Sequence, residues 1–280
     1  MASIRGSLAL GVLVVALGGA SVNAADLNGG GMKDGYIPAP EAMAGPSSGS
    51  WYLRVDGAYS SYDDPIMVED HIYDLTDTSI DGAWSLGFGV GRHIGQGFRF
   101  DVTYDYRFEA DVSGRINNHN ASLNGTREFG LKSNLILGNL YYDFNQGGRF
   151  SPYLGVGLGW VQHKTTEGSV VDTCGCTGTI TSETSDSVAA AFMAGVTVNL
   201  TAGRNQGVNY AGSTKDAPII VSNNRGLLLD VGYRFLYLGD AKSGPVVGDF
   251  GGGTVEVSQD PTVENIHAHE IRLGLRYNLN

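Results

Sequence analysis

The sequence repeats one pattern at intervals, a short segment in which every second residue is apolar. The clearest example is Ile271–Leu279, with apolar residues at odd positions and charged, amide or glycine residues at even positions. Because side chains of a strand alternate between two faces, such a segment forms a strand with one apolar and one polar face. A tilted strand of about 9–11 residues is long enough to cross a bilayer. The recurrence therefore predicts a sheet of amphipathic strands of membrane-spanning length.

Eight segments carry this alternation. The predicted strands are Trp51–Ser60, Trp84–Ile94, Phe98–Phe108, Phe129–Phe144, Ser151–His163, Val188–Leu200, Leu227–Leu238 and Ile271–Leu279. In the fourth segment apolar residues occupy both parities, so the sequence leaves its register open. The other seven segments assign an inward and an outward face to each strand.

The connections alternate in length. Tight glycine-containing turns follow the second and fourth strands, whereas most other connections are polar segments of roughly 20 residues. Short turns on one side, long loops on the other and an even strand count predict an all-β fold, an eight-stranded antiparallel up-and-down transmembrane β-barrel over residues 51–280. One long connection, Thr201–Asn224, lies where a short turn is expected. This connection is either an inserted loop, or it contains an extra hairpin at Pro218–Val221 that would raise the number of barrel strands to ten. Eight strands are favoured.

A secreted β-sandwich would also show alternating strands and regular turns. Two features favour the barrel. Charges repeat on the polar faces of several strands, which a soluble apolar core would not tolerate. Outward aromatic residues lie near strand ends, as expected for a girdle at a membrane surface. These aromatic residues are Trp51, Trp84, Phe98, Tyr106, Phe108, Trp160, Tyr237 and Tyr277.

The first 24 residues have the composition of a secretory signal peptide. Arg5 precedes an apolar run from Leu8 to Ala16, and Val22-Asn23-Ala24 is a small-x-small cleavage site. The run is too short for a spanning helix, and no later stretch approaches the required 20 apolar residues. Residues 25–50, rich in glycine, proline, alanine and serine, predict a flexible periplasmic leader. The expected location is the outer membrane of a Gram-negative cell.

The chain is acidic and poor in cysteine. Its formal charge is −11, and removal of a signal peptide with one arginine and no acid leaves −12. This argues against a nucleic-acid partner, which calls for basic patches. The predicted outer loops carry many of the acidic residues: seven acidic residues and no lysine or arginine lie between Ser61 and Gly82. Divalent cations could bridge such loops, but no ordered calcium-loop spacing is present, and a solvated surface is the favoured interpretation.

The inward faces carry charges of both signs. An eight-stranded barrel is just wide enough for side chains to fill its interior, so these charges are expected to pair across the lumen. A plug of ion pairs and water is favoured over a narrow ion path with exchangeable pairs. The predicted inward charges are Arg54, Asp56, Arg99, Asp101, Asp105, Arg107, Lys132, Asp143, Asp230, Arg234, Glu270, Arg272 and Arg276.

Two other pairs invite a chemical interpretation. Cys174 and Cys176, in an outer loop, predict a strained local disulfide in an oxidising compartment, with a soft-metal site as the alternative. His267 and His269 place two imidazoles on one face of the eighth strand, a weak metal or haem signal, against simple polarity at the lumen mouth. No Gly-x-Ser-x-Gly motif accompanies the histidines, so we expect no catalysis. Because two histidines alone are a weak signal, we also expect no cofactor and no dedicated metal site.

Three short motifs carry a resemblance to a known family. They are Leu229–Asp240, Gly138–Phe144 and the start Ala24-Ala25-Asp26-Leu27. Together the chain resembles the opacity-type, porin-family small outer-membrane β-barrel proteins of alphaproteobacteria, with an OmpA-like transmembrane barrel. The similarity spans Trp51 to Asn280.

The resemblance implies a monomeric eight-stranded barrel with a role in envelope integrity, as a surface antigen or in adhesion, and in some relatives haem binding. It implies outer-membrane lipid, lipopolysaccharide and the barrel-assembly machinery as partners. That machinery reads a terminal phenylalanine in the family, whereas this chain ends Leu279-Asn280. The favoured function is thus a structural, surface-exposed envelope protein with a plugged lumen. A narrow solute or ion channel is the first alternative and a haem or metal receptor the second.

Overall fold

In a computed structural model, all regular secondary structure of the described residues is β-strand. It describes residues 49–69, 73–116, 125–145, 149–172, 177–201, 206–209, 219–222, 226–249, 254–258 and 261–279. The predicted signal peptide, nearly all of the predicted leader, and Cys174 and Cys176 lie outside these residues. No helix in the described ranges is long and apolar enough to cross a membrane.

Eight long antiparallel strands close into a ring. They are β1 (Trp51–Tyr62), β5 (Ala83–Gly95), β6 (Phe98–Ile116), β7 (Gly125–Asp143), β8 (Phe150–Thr165), β11 (Thr184–Asn199), β14 (Leu227–Tyr237) and β19 (His267–Asn278). Each pairs with its neighbours in chain order, and β19 closes the ring on β1, with Val55 opposite Leu275. Closure removes the free edges that an open sheet would expose to lipid. The eight-stranded prediction is confirmed.

The described residues form eleven further, shorter strands outside the ring. They are β2 (Ile66–Glu69), β3 (Tyr73–Asp74), β4 (Thr76–Ile80), β9 (Gly168–Asp172), β10 (Thr177–Ile180), β12 (Gln206–Asn209), β13 (Ile219–Ser222), β15 (Ala241–Lys242), β16 (Val246–Asp249), β17 (Thr254–Ser258) and β18 (Thr262–Glu264). β12 and β13 pair only with each other. The hairpin suspected near Pro218–Val221 therefore exists, but the ten-stranded alternative is wrong, because the hairpin does not enter the ring.

The two ends of the barrel differ. At one end, here called the turn end, β5 joins β6 through Gln96 and Gly97, whose φ angles are 51° and 89°. Two consecutive positive φ angles give the two-residue turn whose twist matches paired strands. The chain enters β1 and leaves β19 at this same end. At the opposite end, here called the loop end, the connections are long.

The barrel wall is apolar outside and polar inside, as the alternation predicts. Outward side chains such as Leu86, Phe88 and Leu273 are 56–61% exposed. The girdle aromatics also face outward, with Trp51, Trp84 and Trp160 between 42% and 65% exposed. Among the strands, β7 has apolar residues on both faces. Its inward apolar residues are Leu135, Leu137 and Tyr141, and its outward apolar residues include Ile136, Leu140 and Tyr142.

A β-bulge changes the face assignment midway along β6. Arg107 pairs with Ser133 and Ala110 with Leu131, so Phe108 and Glu109 together oppose Lys132. An extra residue reverses the parity of everything beyond it. The strand predicted to end at Phe108 therefore continues to Ile116 with its even residues buried.

The connections at the loop end form short strands that pack around an apolar core. We call this region the loop-end cap; it comprises β2–β4, β9–β10, β15–β18 and the loop-end extensions of β6 and β7. Its strands extend the barrel sheet and add a four-stranded sheet. The cap buries the apolar residues Met67, Leu75, Ile80, Val112, Ile116, Phe129, Val170, Ile180, Val246, Val263 and Ile266. Most described acids of these segments remain exposed, as the solvated-surface interpretation expects, and what the sequence did not predict is that the apolar residues between them pack into a core.

Candidate functional site: the charged lumen

The lumen holds a balanced set of buried charges. In the described residues seven arginines and seven acids are buried, so their formal charges cancel. Two of them, Glu69 and Arg127, pair in the loop-end cap at 2.9 Å. The other twelve line the barrel and form what we call the lumen charge network. Its members are Arg54, Asp56, Arg99, Asp101, Asp105, Arg107, Asp143, Asp230, Arg234, Glu270, Arg272 and Arg276.

One cluster of the network lies toward the turn end around Arg54. Its guanidinium donates to both carboxylate oxygens of Asp56, at 2.7 and 2.8 Å, and to Asp101 at 2.8 Å. Two parallel N–H···O bonds fix the planar group in one orientation. Asp101 also accepts from the Tyr52 hydroxyl at 3.0 Å and from Asn139 at 2.8 Å. This carboxylate therefore joins β1, β6 and β7.

Arg99 is enclosed by aromatic rings in the same cluster. Its guanidinium carbon lies 3.8 Å from the centroid of the Tyr141 ring and 5.0 Å from that of Tyr153. It donates to Asp143 at 3.1 Å. Cation–π contacts are stronger where the cation is desolvated, as here. Neither tyrosine is among the predicted site residues. The inward parity of Tyr153 on β8 is a signal that could have identified it, whereas β7, which is apolar on both faces, gives no such signal for Tyr141.

A second cluster centres on Glu270. Its carboxylate accepts from Arg234 at 2.6 Å and from Arg107, while Arg234 donates to Asp105 at 2.6 Å. Arg107 also contacts the hydroxyls of Ser60 and Tyr62. β14, which carries Arg234, lies opposite β6, which carries Asp105, four strands away around the ring. The pair therefore spans the lumen from wall to wall.

In Arg272 and Arg276, two of the three guanidinium nitrogens make no hydrogen bond within the described residues. Arg272 lies 3.3 Å from Asp56, but its nitrogen is not aligned for a hydrogen bond. Arg276 donates to Thr197 at 3.0 Å and lies 3.4 Å from Asp230. The expected pairing of inward charges thus joins Arg272 to Asp56 and Arg276 to Asp230.

Lys132 is the inward charge that the sequence placed wrongly. It lies on the outward face of β7, where its side chain is 38% exposed and contacts Glu109 at 2.7 Å. Because β7 is apolar on both faces, its alternation could not fix the parity. The inward positions of this strand belong to Leu135, Leu137, Asn139 and Tyr141.

His267 and His269 also face outward, not into the lumen mouth. They share the parity of Ile271, which is 65% exposed on the outer wall. His269 contacts the Tyr233 hydroxyl at 2.5 Å and Asp63 at 3.3 Å, and His267 stacks on Phe235. Within the described ranges no group of three or more histidine, cysteine or acidic residues is arranged to hold a metal ion.

His163 is a buried polar residue that is not among the predicted site residues, although its parity on β8 places it on the inward face. Its Nδ1 lies 2.7 Å from the Ser133 hydroxyl, and its Nε2 lies 2.9 Å from the carbonyl of Leu238, which follows β14. With Nε2 as donor and Nδ1 as acceptor, a neutral ring satisfies both partners. His163 thereby ties β7 and β8 to the base of the last cap segment.

Replacing His163 with alanine is therefore expected to loosen the cap. The change leaves the Ser133 hydroxyl and the Leu238 carbonyl without their partner, at a cost of about 1–3 kcal/mol in the free energy of unfolding. Urea unfolding and limited proteolysis of the folded protein would measure the effect. His267→Ala, on the half-exposed outer wall, is the control and should change the unfolding free energy by no more than about 0.5 kcal/mol.

Comparison with known proteins identifies a family model and relatives that match this sequence. The sequence model of the outer membrane protein beta-barrel domain matches residues 11–235. An uncharacterised protein of Brucella abortus (strain 2308) is 28% identical over 275 residues, covering 86% of this chain and 88% of its own length. A protein of Brucella suis biovar 1 (strain 1330) matches with the same identity and coverage.

Solved structures of small barrels are also similar. Neisserial surface protein A is 18% identical, with 82% of this chain and 97% of that chain covered and a TM-score of 0.39. OprG from Pseudomonas aeruginosa is 13% identical, with 83% and 97% covered and a TM-score of 0.45. Since the family model matches well over half of the residues, the chain belongs to the outer membrane protein β-barrel domain family.

Proposed function

We propose that this protein is a non-conducting structural barrel of the Gram-negative outer membrane that presents a folded cap at the cell surface. The Arg234–Asp105 pair carries the proposal, because it joins opposite walls of the barrel at 2.6 Å between residues that are 1% and 3% exposed. A lumen bridged in this way leaves little free width in an eight-stranded barrel. The apolar core of the loop-end cap adds a second barrier that discourages ion passage.

The proposed role is in envelope integrity and surface exposure rather than catalysis. Short turns face the periplasm and long loops face outward in barrels of this class, so the cap is the surface that antibodies or a host would meet. Exposed acids such as Asp63 and Asp77, with side chains 54% and 65% accessible, belong to that surface. We propose a monomer embedded in lipid and lipopolysaccharide after insertion by the barrel-assembly machinery, since the ring closes without a partner strand.

A narrow ion path is the second candidate. The observation that favours it is the incomplete bonding of the β19 arginines: buried nitrogens of Arg272 and Arg276 have no hydrogen-bond partner within the described part of the chain. Such donors suit water or a passing anion. The path and the plug differ in one measurable property, conductance.

Planar-bilayer recording of the purified protein separates these candidates. The plug predicts no reproducible unit conductance for the wild-type protein. Opening of the central bridge by Arg234→Ala is expected to introduce noisy, poorly defined currents only. Reproducible wild-type steps whose size changes in Arg234→Ala would contradict the plug and support the path. Gel mobility of boiled and unboiled samples confirms that each protein is a folded barrel.

A further inference from the structure

Within the described residues, the outer wall carries an apolar groove that has no part in the lumen charge network. It has a volume of about 430 Å³, within the roughly 300–1,000 Å³ of small-ligand sites. It lies across β7, β8, β11 and β14 and faces the membrane. Its outward lining includes Tyr142, Leu154, Val156, Phe192, Ala194 and Tyr233.

The groove exists because a small side chain interrupts a row of large ones. The row runs across the four strands through successive cross-strand pairs: Tyr142 opposite Leu154, Leu154 opposite Ala194, and Ala194 opposite Tyr233. Ala194 leaves a depression between the larger residues, and the exposed Phe192, 64% accessible, borders it on the same strand. Outward apolar side chains around a small residue form a surface that suits a flexible hydrocarbon chain.

The groove climbs obliquely from the turn end to mid-height. Tyr142 is next to the last residue of β7 at the turn end, whereas Tyr233 is the seventh residue of β14 counted from that end. At about 3.3 Å per residue and a strand tilt of about 40°, Tyr233 lies about 15 Å above the turn end. That height is about half of a 25–30 Å hydrocarbon layer. The groove therefore spans the depth of one leaflet.

A basic residue lies at the turn end of a strand that forms the groove. Arg149 precedes Phe150, the first residue of β8; both are exposed, and the guanidinium carbon is 5.9 Å from the Phe150 ring centroid. An arginine beside an interfacial aromatic residue is well suited to a phosphate. Because turns of this barrel class face the periplasm, the adjoining leaflet consists of glycerophospholipid.

We propose that the groove is a binding site for one acyl chain of a phospholipid from the periplasmic leaflet, with its phosphate held near Arg149. The acyl chain lies over Ala194, between Leu154 and Tyr233. This site is independent of whether the lumen conducts. It would fix one lipid against the wall while the surrounding lipids exchange.

Native mass spectrometry of the detergent-purified barrel with added phosphatidylglycerol tests the site. We expect one phospholipid to remain bound to the wild-type protein, and Ala194→Trp, which fills the groove, to weaken its binding at least tenfold. Gly57→Trp is the matched control. Gly57 lies on the outward face of β1, where an added Cβ meets no atom within 4 Å, so this variant should bind lipid as the wild type does.

Further arms test the headgroup and the leaflet. Arg149→Gln should weaken phosphatidylglycerol several-fold and leave diacylglycerol, which has no phosphate, unchanged. Three results would overturn the proposal. They are unaltered phosphatidylglycerol binding in Ala194→Trp, an equal loss of binding in Ala194→Trp and Gly57→Trp, and preferential retention of lipid A over phosphatidylglycerol. If Ala194→Trp fails to show the gel mobility of a folded barrel, Ala194→Leu replaces it, with the same direction of effect expected.

Discussion

Replacing Glu270 with glutamine is expected to lower the free energy of unfolding by about 3–5 kcal/mol. Glu270 is fully buried and is the shared acceptor of Arg107 and Arg234. The substitution preserves shape but leaves a surplus positive charge among buried groups, where an unpaired ion is costly. Urea unfolding in detergent micelles, followed by tryptophan fluorescence and gel mobility, measures the loss.

A matched control shows whether the loss of stability comes from the burial of the ion pair or from the loss of any ion pair. Glu109 pairs with Lys132 at 2.7 Å, but the two side chains are 42% and 38% exposed. Because water screens such a pair, Glu109→Gln should cost at most about 1 kcal/mol. Equal losses in Glu109→Gln and Glu270→Gln would contradict the assignment of Glu270 to a buried network.

Restoring the charge balance provides a second check. Adding Arg107→Met to Glu270→Gln removes the surplus positive charge and fills similar volume. Since the two residues are in contact, their effects should not add, and the double variant should regain about 1–3 kcal/mol relative to Glu270→Gln. A double variant less stable than Glu270→Gln would mean that the loss comes from packing and not from charge.

Most of the barrel could be predicted from the sequence because alternation is a local property. A strand with one apolar face, such as β19, displays its inward set directly, so the alternation alone assigns Glu270, Arg272 and Arg276 to the lumen. The same rule failed on β7. With Ile136 and Leu137 both apolar, nothing local distinguishes the faces, and only pairing with β6 and β8 decides.

The remaining features depend on contacts between distant segments. Arg127 and Glu69 are 58 positions apart, and their bidentate pairing arises only once β2 lies over the end of β7. The bulge at Phe108 and Glu109 carries no sequence signal of its own. The apolar residues of the cap, such as Met67 and Ile180, are dispersed among acids and glycines, which concealed a core that forms from several loops.

Among the described glycines, Gly159 is the one where an added Cβ would come nearest to backbone, and this predicts the other large effect. A Cβ built on Gly159 of β8 would lie 1.9 Å from the backbone carbonyl oxygen of Ile136 on β7. Backbone in a paired strand cannot yield as the tip of a long side chain can. Gly159→Ala should therefore destabilise the barrel by about 3 kcal/mol or more, at the upper end of the range for overpacking.

The measurement is the fraction of protein that resists the mobility shift on boiling, together with urea unfolding of whatever folds. Gly57→Ala makes the same chemical change on β1, where an added Cβ meets nothing within 4 Å. The control should remain fully folded and lose no more than about 0.5 kcal/mol. Wild-type behaviour of Gly159→Ala would show that β7 and β8 lie further apart than described. Because closure of the ring requires every pair to form, a single widened contact on β8 is expected to weaken the whole barrel rather than one hairpin.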